Sequence, residues 1–113
     1  MVKSLKKEKL REMIDKGEDF VLVNVLSEES FWKKHIPGSI NIPVHEDGFK
    51  EKAKDLLPGK DEKIVVYCAS FDCSASPKAA KKLEELGYTN VYDYEGGIKE
   101  WESAGYKMKR KNA

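Results

Sequence analysis

Ile64-Val65-Val66-Tyr67 is an unbroken apolar run that ends on a thiol, Cys68, with small and polar residues after it. A strand with one face in water alternates apolar and polar side chains, whereas a continuous run needs cover on both faces. Phe20-Val21-Leu22-Val23-Asn24-Val25 repeats the pattern, interrupted only at Asn24. Strands of this kind belong to parallel sheets wrapped by helices, so the chain is read as α/β.

The segments between these runs carry helical spacing. Leu5, Leu10, Met13 and Ile14 recur behind Ser4, the expected N-cap, and Gly17 ends that helix, which spans about residues 4–16. A short helix over Glu28 to Lys34 precedes the turn His35-Ile36-Pro37-Gly38 and a brief strand, Ser39 to Ile42. Phe49 to Leu57 is helical and Pro58-Gly59 breaks it. Strand Lys63–Tyr67, helix Ser76–Leu86 with Gly87 as its stop, and strand Asn90–Tyr94 follow. Gly96-Gly97 lead into a last helix with Ile98 and Trp101. Strands alternating with helices imply right-handed βαβ units.

A length of 113 residues fits one domain with its own core, residues 1–113. Lys+Arg and Asp+Glu nearly cancel, to a net charge of +1, which argues against a nucleic-acid binder. No apolar stretch is long enough for a membrane span and the charged N-terminus lacks a signal-peptide core, so the expected location is cytoplasmic. Two cysteines in that setting are reactive more often than structural. The basic end, about residues 107–113, is expected to fray.

Cys68 combines two favourable placements. Ligands of open α/β sheets gather at strand carboxyl ends, and the helix that follows offers free N–H groups and a positive dipole end to a thiolate. The competing reading is a strand-end cysteine packed as an apolar residue.

Three segments, taken in order, resemble one family. His35-Ile36-Pro37-Gly38-Ser39-Ile40-Asn41-Ile42-Pro43, Tyr67-Cys68, and Asn90-Val91-Tyr92-Asp93-Tyr94-Glu95-Gly96-Gly97-Ile98 with Trp101 are similar to the motifs of rhodanese-like domains, over about Phe20 to Tyr106. Phe31 stands four positions before His35, as in that family. The resemblance implies a mostly parallel five-stranded sheet with helices on both faces. It also implies a sulfurtransferase whose catalytic Cys68 carries a persulfide. Residues Ala69, Ser70, Phe71, Asp72, Cys73, Ser74, Ala75 and Ser76 would then bind the substrate sulfur. No cofactor or metal is implied, and His35 and His45 are spaced unlike a closed zinc site.

The chain departs from the family pattern at the charges. Asn24 and Leu26 stand where many members have Asp and Arg. The loop after Cys68 is two residues longer than usual, and the customary arginine position falls on Ala75 or on Cys73 according to where the extra residues lie. An ordinary thiol has a pKa of about 8.5, so backbone amides must supply most of the potential for a thiolate. Lys33, Lys34 and Lys78 are the candidate additional cations and Asp72 opposes them.

Small dianions such as thiosulfate are therefore expected to bind poorly. The expected partners are a sulfur donor (thiosulfate, polysulfide or a low-molecular-weight persulfide) and a thiol or cyanide acceptor, with a sulfur-relay protein as a further partner. Cys73 is either a resolving thiol for Cys68 or a small loop filler. His35 is expected to hydrogen-bond structurally, and Ser76 to cap its helix with Pro77 at the first helical position. Two other functions remain open: a redox-sensing or sulfur-relay module without catalysis, and a cysteine phosphatase or arsenate reductase. The missing loop arginine weighs against the latter. The catalytic reading needs Cys68 Sγ to be ionised and accessible.

Overall fold

The computed structural model describes residues 2–110. Five strands form one parallel sheet in the order β1-β6-β5-β2-β4. These are β1 (Lys3–Ser4), β6 (Val91–Tyr94), β5 (Ile64–Tyr67), β2 (Val21–Asn24) and β4 (Ile40–Asn41). The expected α/β class and five-stranded sheet are present. The central strand β5 pairs Ile64 to Val91 on one side and to Val21 on the other. All four of its side chains are fully buried, and each apolar one contributes roughly 1.5–3 kcal/mol.

Alternation along the strands divides the interior into two cores. Val23, Val25, Ile64, Val66, Cys68 and Val91 face α3 (Phe49–Leu56) and α4 (Ala75–Glu85). Leu22, Val65, Tyr67 and Tyr94 face α1 (Lys7–Asp15) and α5 (Gly97–Ser103). Small residues on α4, Ala75, Ala79 and Ala80, let that helix sit close on the strand ends. Phe31 is buried on α2 (Glu28–Lys33) and Trp101 on α5, while Trp32 is half exposed at the rim. No helix among the described residues is long and apolar enough to cross a membrane.

Four local expectations need correction. Ser4 does not cap α1; the chain there is an edge strand, with Ser4 in register with Asp93, and its hydroxyl donates to Glu95 at 2.9 Å. The helix therefore begins at Lys7 behind Lys6, not near residue 4. Helix α2 stops at Lys33 because Lys34–His35 is a strand, β3, paired antiparallel with β7 (Lys109–Arg110). The tail is accordingly anchored as far as Arg110, and Trp101 Nε1 donates to the Lys107 carbonyl at 2.8 Å. Residues 111–113 of the expected frayed end lie outside the described residues.

The fourth correction concerns α4. It starts at Ala75 with Ser74 at the N-cap position, which puts Ser76 and Pro77 inside the first turn. Proline is tolerated there because the first helical N–H groups have no intrahelical acceptor. The Ser76 side chain is thereby free for another use.

Candidate functional site: a two-thiol loop at the end of the central strand

The loop from Cys68 to Ser74 leaves the end of β5 and returns as α4. Its first two residues are clamped by α5. The N–H of Ile98 donates to the Cys68 carbonyl at 3.0 Å and that of Lys99 to the Ala69 carbonyl at 2.8 Å. Such an approach needs glycine at position 97. Gly97 has φ +62, and a Cβ there would meet the Cys68 carbonyl oxygen at 2.4 Å and Ser70 N at 2.9 Å. Further along, a turn closes where Cys73 N–H donates to the Ser70 carbonyl at 3.1 Å.

Ala69, Phe71, Asp72 and Ser74 are exposed, Ser70 and Cys73 are half-buried, and Ala75 and Ser76 are buried. Phe71 is 67% exposed at the loop tip. Beside it a cleft of about 430 Å³ takes Ser4, Glu95 and Gly96 in its lining, but not Cys68.

Cys68 itself has no exposed surface. Its thiol faces the Ser76 hydroxyl at 3.4 Å and the Cys73 carbonyl at 3.6 Å. Burial pushes the Cys68 thiol up, and its hydrogen bond to the Cys73 sulfur acts the same way, against the Ser76 hydroxyl and N–H. The expected open thiolate at Cys68 is thus absent from this closed arrangement: the group is sealed and protonated.

Cys73 is its counterpart. Burial opposes ionisation there as well, but the Cys68 thiol and the N–H groups of Ala69 and Ala75 outweigh it, so the Cys73 pKa lies below the ordinary value. The N–H groups of Ala69 and Ala75 therefore favour the charged form of Cys73 rather than that of Cys68.

The expected cations do not reach this site. Lys33 pairs with Glu29 at 3.5 Å, one turn back on α2, and Lys34, on β3, pairs with Glu102 at 2.8 Å. Lys78 is exposed. None of the three is among the largest influences on either thiol.

Asn24, where the resemblance led one to expect an aspartate, is fully buried and donates to Tyr67 Oη at 3.2 Å while its Oδ1 accepts from Leu26 N–H at 2.9 Å. A neutral amide suits that hub better than a carboxylate with no cation beside it. His35 Nδ1 lies 2.9 Å from the Phe31 carbonyl, and its ring stacks on Phe31 at 3.9 Å, a structural role. No group of three or more His, Cys, Asp or Glu among the described residues is placed to hold a metal ion.

One residue escaped sequence reasoning. Asp93 is buried, 4% exposed, on β6 beside the site. Register sets it opposite Val66, and alternation puts it on the face of Val66 and Cys68, under α4. Its Oδ1 has no hydrogen-bond partner. Burial raises its pKa to about 6, the Ser76 hydroxyl works against the rise, and Glu95 adds to it. A carboxylate inside the apolar segment Val91–Tyr94 was the available signal.

Comparison with known proteins accords with this architecture. The family model described as Rhodanese-like domain matches residues 6–104. A mouse protein, thiosulfate sulfurtransferase/rhodanese-like domain-containing protein 3, is 34% identical over 98 residues, covering 75% of this chain. The chain spans only 59% of the length of that relative. Thiosulfate sulfurtransferase PspE of Escherichia coli K12 is 35% identical over 78 residues, 69% of this chain and 70% of PspE. Among solved structures, the BH2092 protein of Bacillus halodurans superposes with a TM-score of 0.86 at 29% identity, covering 96% of this chain and 77% of its own.

Proposed function

This chain belongs to the rhodanese-like domain family, and from that premise we propose that it is a sulfurtransferase in which Cys68 carries the sulfur and Cys73 resolves it. The observation that carries the reading is the pair of thiols in one loop at the end of β5, with Cys68 Sγ 3.4 Å from the Ser76 hydroxyl and 3.6 Å from the Cys73 carbonyl, and each thiol acting on the other's ionisation. A second sulfur bonded to Cys68 would take over the N–H groups of Ala69 and Ala75, which act on Cys73 at rest. Relatives named thiosulfate sulfurtransferase support the reaction class.

The reaction begins when Cys73 leaves the cradle and uncovers Cys68. Cys68 Sγ attacks the sulfane sulfur of a donor. A sulfur–sulfur bond forms at Cys68, the bond from that sulfur to its carrier breaks, and the electron pair leaves with the carrier as sulfite or a thiolate. The persulfide anion takes the amides that Cys73 vacated, with Ala69 to Ser76 as its cradle. A thiolate or cyanide acceptor then attacks the outer sulfur and Cys68 leaves as thiolate.

Where no acceptor is at hand, Cys73 thiolate attacks Cys68 Sγ. The Cys68–Cys73 bond forms, hydrosulfide leaves, and an external thiol later reduces the disulfide. A cradle of neutral amides suits a persulfide or polysulfide donor better than a dianion such as thiosulfate. A sulfur-relay protein is the fitting macromolecular partner.

The test is turnover with each donor in the presence of cyanide. Persulfide donors should outpace thiosulfate by at least about tenfold, the order that loss of one charge-assisted contact carries. Cys68→Ser should be inactive with every donor. Activity retained in that variant would end this reading, and equal turnover with thiosulfate would end the cradle argument.

A further inference from the structure

Asp93 is absent from the chemistry above, although it lies in the same buried pocket with one oxygen unpaired. Strand register sets it opposite Val66, on the face of Cys68; the Ser76 hydroxyl acts on its carboxyl and lies 3.4 Å from Cys68 Sγ. The three groups form a line from strand β5, through the first turn of α4, to strand β6. In the closed loop the Cys68 thiol also hydrogen-bonds to Cys73. Once Cys73 leaves the cradle, Ser76 is the partner that remains.

We propose that Asp93 is a positioning residue that takes up the Cys68 thiol proton through the Ser76 hydroxyl and holds it while Cys68 carries sulfur. The inference rests on the sulfur-transfer reading and supplies its missing proton acceptor. The steps balance. The Sγ proton passes to Ser76 Oγ as the Ser76 hydroxyl proton passes to Asp93, leaving Cys68 as thiolate, Ser76 unchanged and Asp93 neutral. When the acceptor has taken the outer sulfur, the proton returns by the same route to the departing Cys68 thiolate.

Burial gives the reason for such a route. An isolated thiolate in this pocket is costly, because nothing cationic compensates it. Moving the proton internally keeps one negative charge on the Asp93–Cys68 pair throughout, whereas loss to solvent would leave two. A persulfide is more acidic than a thiol, so sulfur loading draws the charge onto sulfur and the proton onto Asp93.

The groups that bear on Asp93 are few. Glu95 on its own strand disfavours its charge, α4 supplies the Ser76 hydroxyl, the loop supplies Cys73, and β1 brings Ser4 alongside in register. No cation stands among the influences on it within the described residues. A carboxyl raised to about 6 can hold or release a proton near neutral pH.

The experiment uses the Cys73→Ser protein, whose sole thiol is Cys68, with and without Asp93→Asn or Ser76→Ala. Thiolate absorbance gives the Cys68 titration, and intact mass gives the rate of sulfur uptake from a low-molecular-weight persulfide across pH. Asp93→Asn should lower the thiol midpoint by about one pH unit, because a like charge is removed. It should also slow uptake at neutral pH by about a hundredfold and erase the acid limb near pH 6.

Ser76→Ala should slow uptake equally without lowering the midpoint, and the double variant should be no slower than either. A merely structural Asp93 would not make the thiol more acidic and yet slower. An acid limb retained in Asp93→Asn, or an unmoved thiol midpoint, overturns the proposal. Absence of sulfur uptake in the Asp93-bearing protein would instead defeat the sulfurtransferase reading, while the thiol titration still decides whether Asp93 and Cys68 are coupled.

Discussion

Tyr67 and Cys68 are consecutive residues on one strand, both fully buried, and they point to opposite faces of the sheet. Around Tyr67 every polar demand is met. Its Oη accepts from Ile36 N–H at 3.0 Å and from Asn24 at 3.2 Å, and shares a hydrogen bond with Ser39 at 2.8 Å. Around Cys68 the demands are left open: a thiol with long sulfur contacts, a second thiol holding its amides, and a carboxylate oxygen with no partner. A satisfied buried network fixes one structure, whereas an unsatisfied one stores a cost that function must justify. One face of the strand end holds the fold, and the other is the face on which we place the chemistry.

Substitution on the two faces should separate these roles. The largest contrast is at Cys68, where replacement by serine should abolish sulfur uptake, read by intact mass, yet move the urea midpoint little. Tyr67→Phe should do the reverse. It leaves the Ile36 N–H and the Asn24 amide without their acceptor and Ser39 Oγ without its donor, at a cost of about 2–4 kcal/mol in urea unfolding. Sulfur uptake per folded molecule should stay within about twofold of the parent.

Asp93 gives a smaller effect of unusual sign. Its folded pKa, about 6, lies above the ordinary 3.8, so between those values the folded state binds the extra proton. Stability is therefore lost as pH rises through that window, by about 3 kcal/mol at most. Asp93→Asn should be more stable than the parent at neutral pH, and the advantage should vanish toward pH 4, where the parent carboxyl is neutral too. Denaturation at several pH values checks this. The smallest effect belongs to Lys34→Ala, which breaks a half-exposed pair with Glu102. It should cost under about 1 kcal/mol in the same unfolding measurement and leave the thiol titration untouched.

The fold was legible wherever one residue type carried its own physical reason. The runs Phe20–Val25, broken only at Asn24, and Ile64–Tyr67 read as strands covered on both faces. Gly17 and Gly87, with φ +67 and +100, ended their helices as read. Two-residue strands were not legible, since Lys3–Ser4 and Lys109–Arg110 have no periodicity and exist only because an edge awaits them. Ser76 misled for a related reason: serine before an amphipathic run signals a cap, but here the hydroxyl faces Cys68 and Asp93 instead.

At the site, the position of Cys68 at the end of β5 and ahead of α4 could be anticipated. Which thiol the cradle would hold, and that Cys68 would be covered, depended on loop geometry that no spacing rule encodes. Lys34 looked available because its partner, Glu102, lies 68 residues away in the chain, whereas the i,i+4 pair of Lys33 with Glu29 was legible on the expected helix and was overlooked.

The central claim is that Cys68 receives the transferable sulfur in a cradle that Cys73 occupies at rest. Peptide mapping after brief exposure to a persulfide donor tests it most directly, with the parent compared against Cys73→Ser. The expected result is one added sulfur, on Cys68, retained in Cys73→Ser, with a Cys68–Cys73 disulfide and released sulfide in the parent. Added sulfur on Cys73 instead, or none on Cys68 in either protein, would contradict the account.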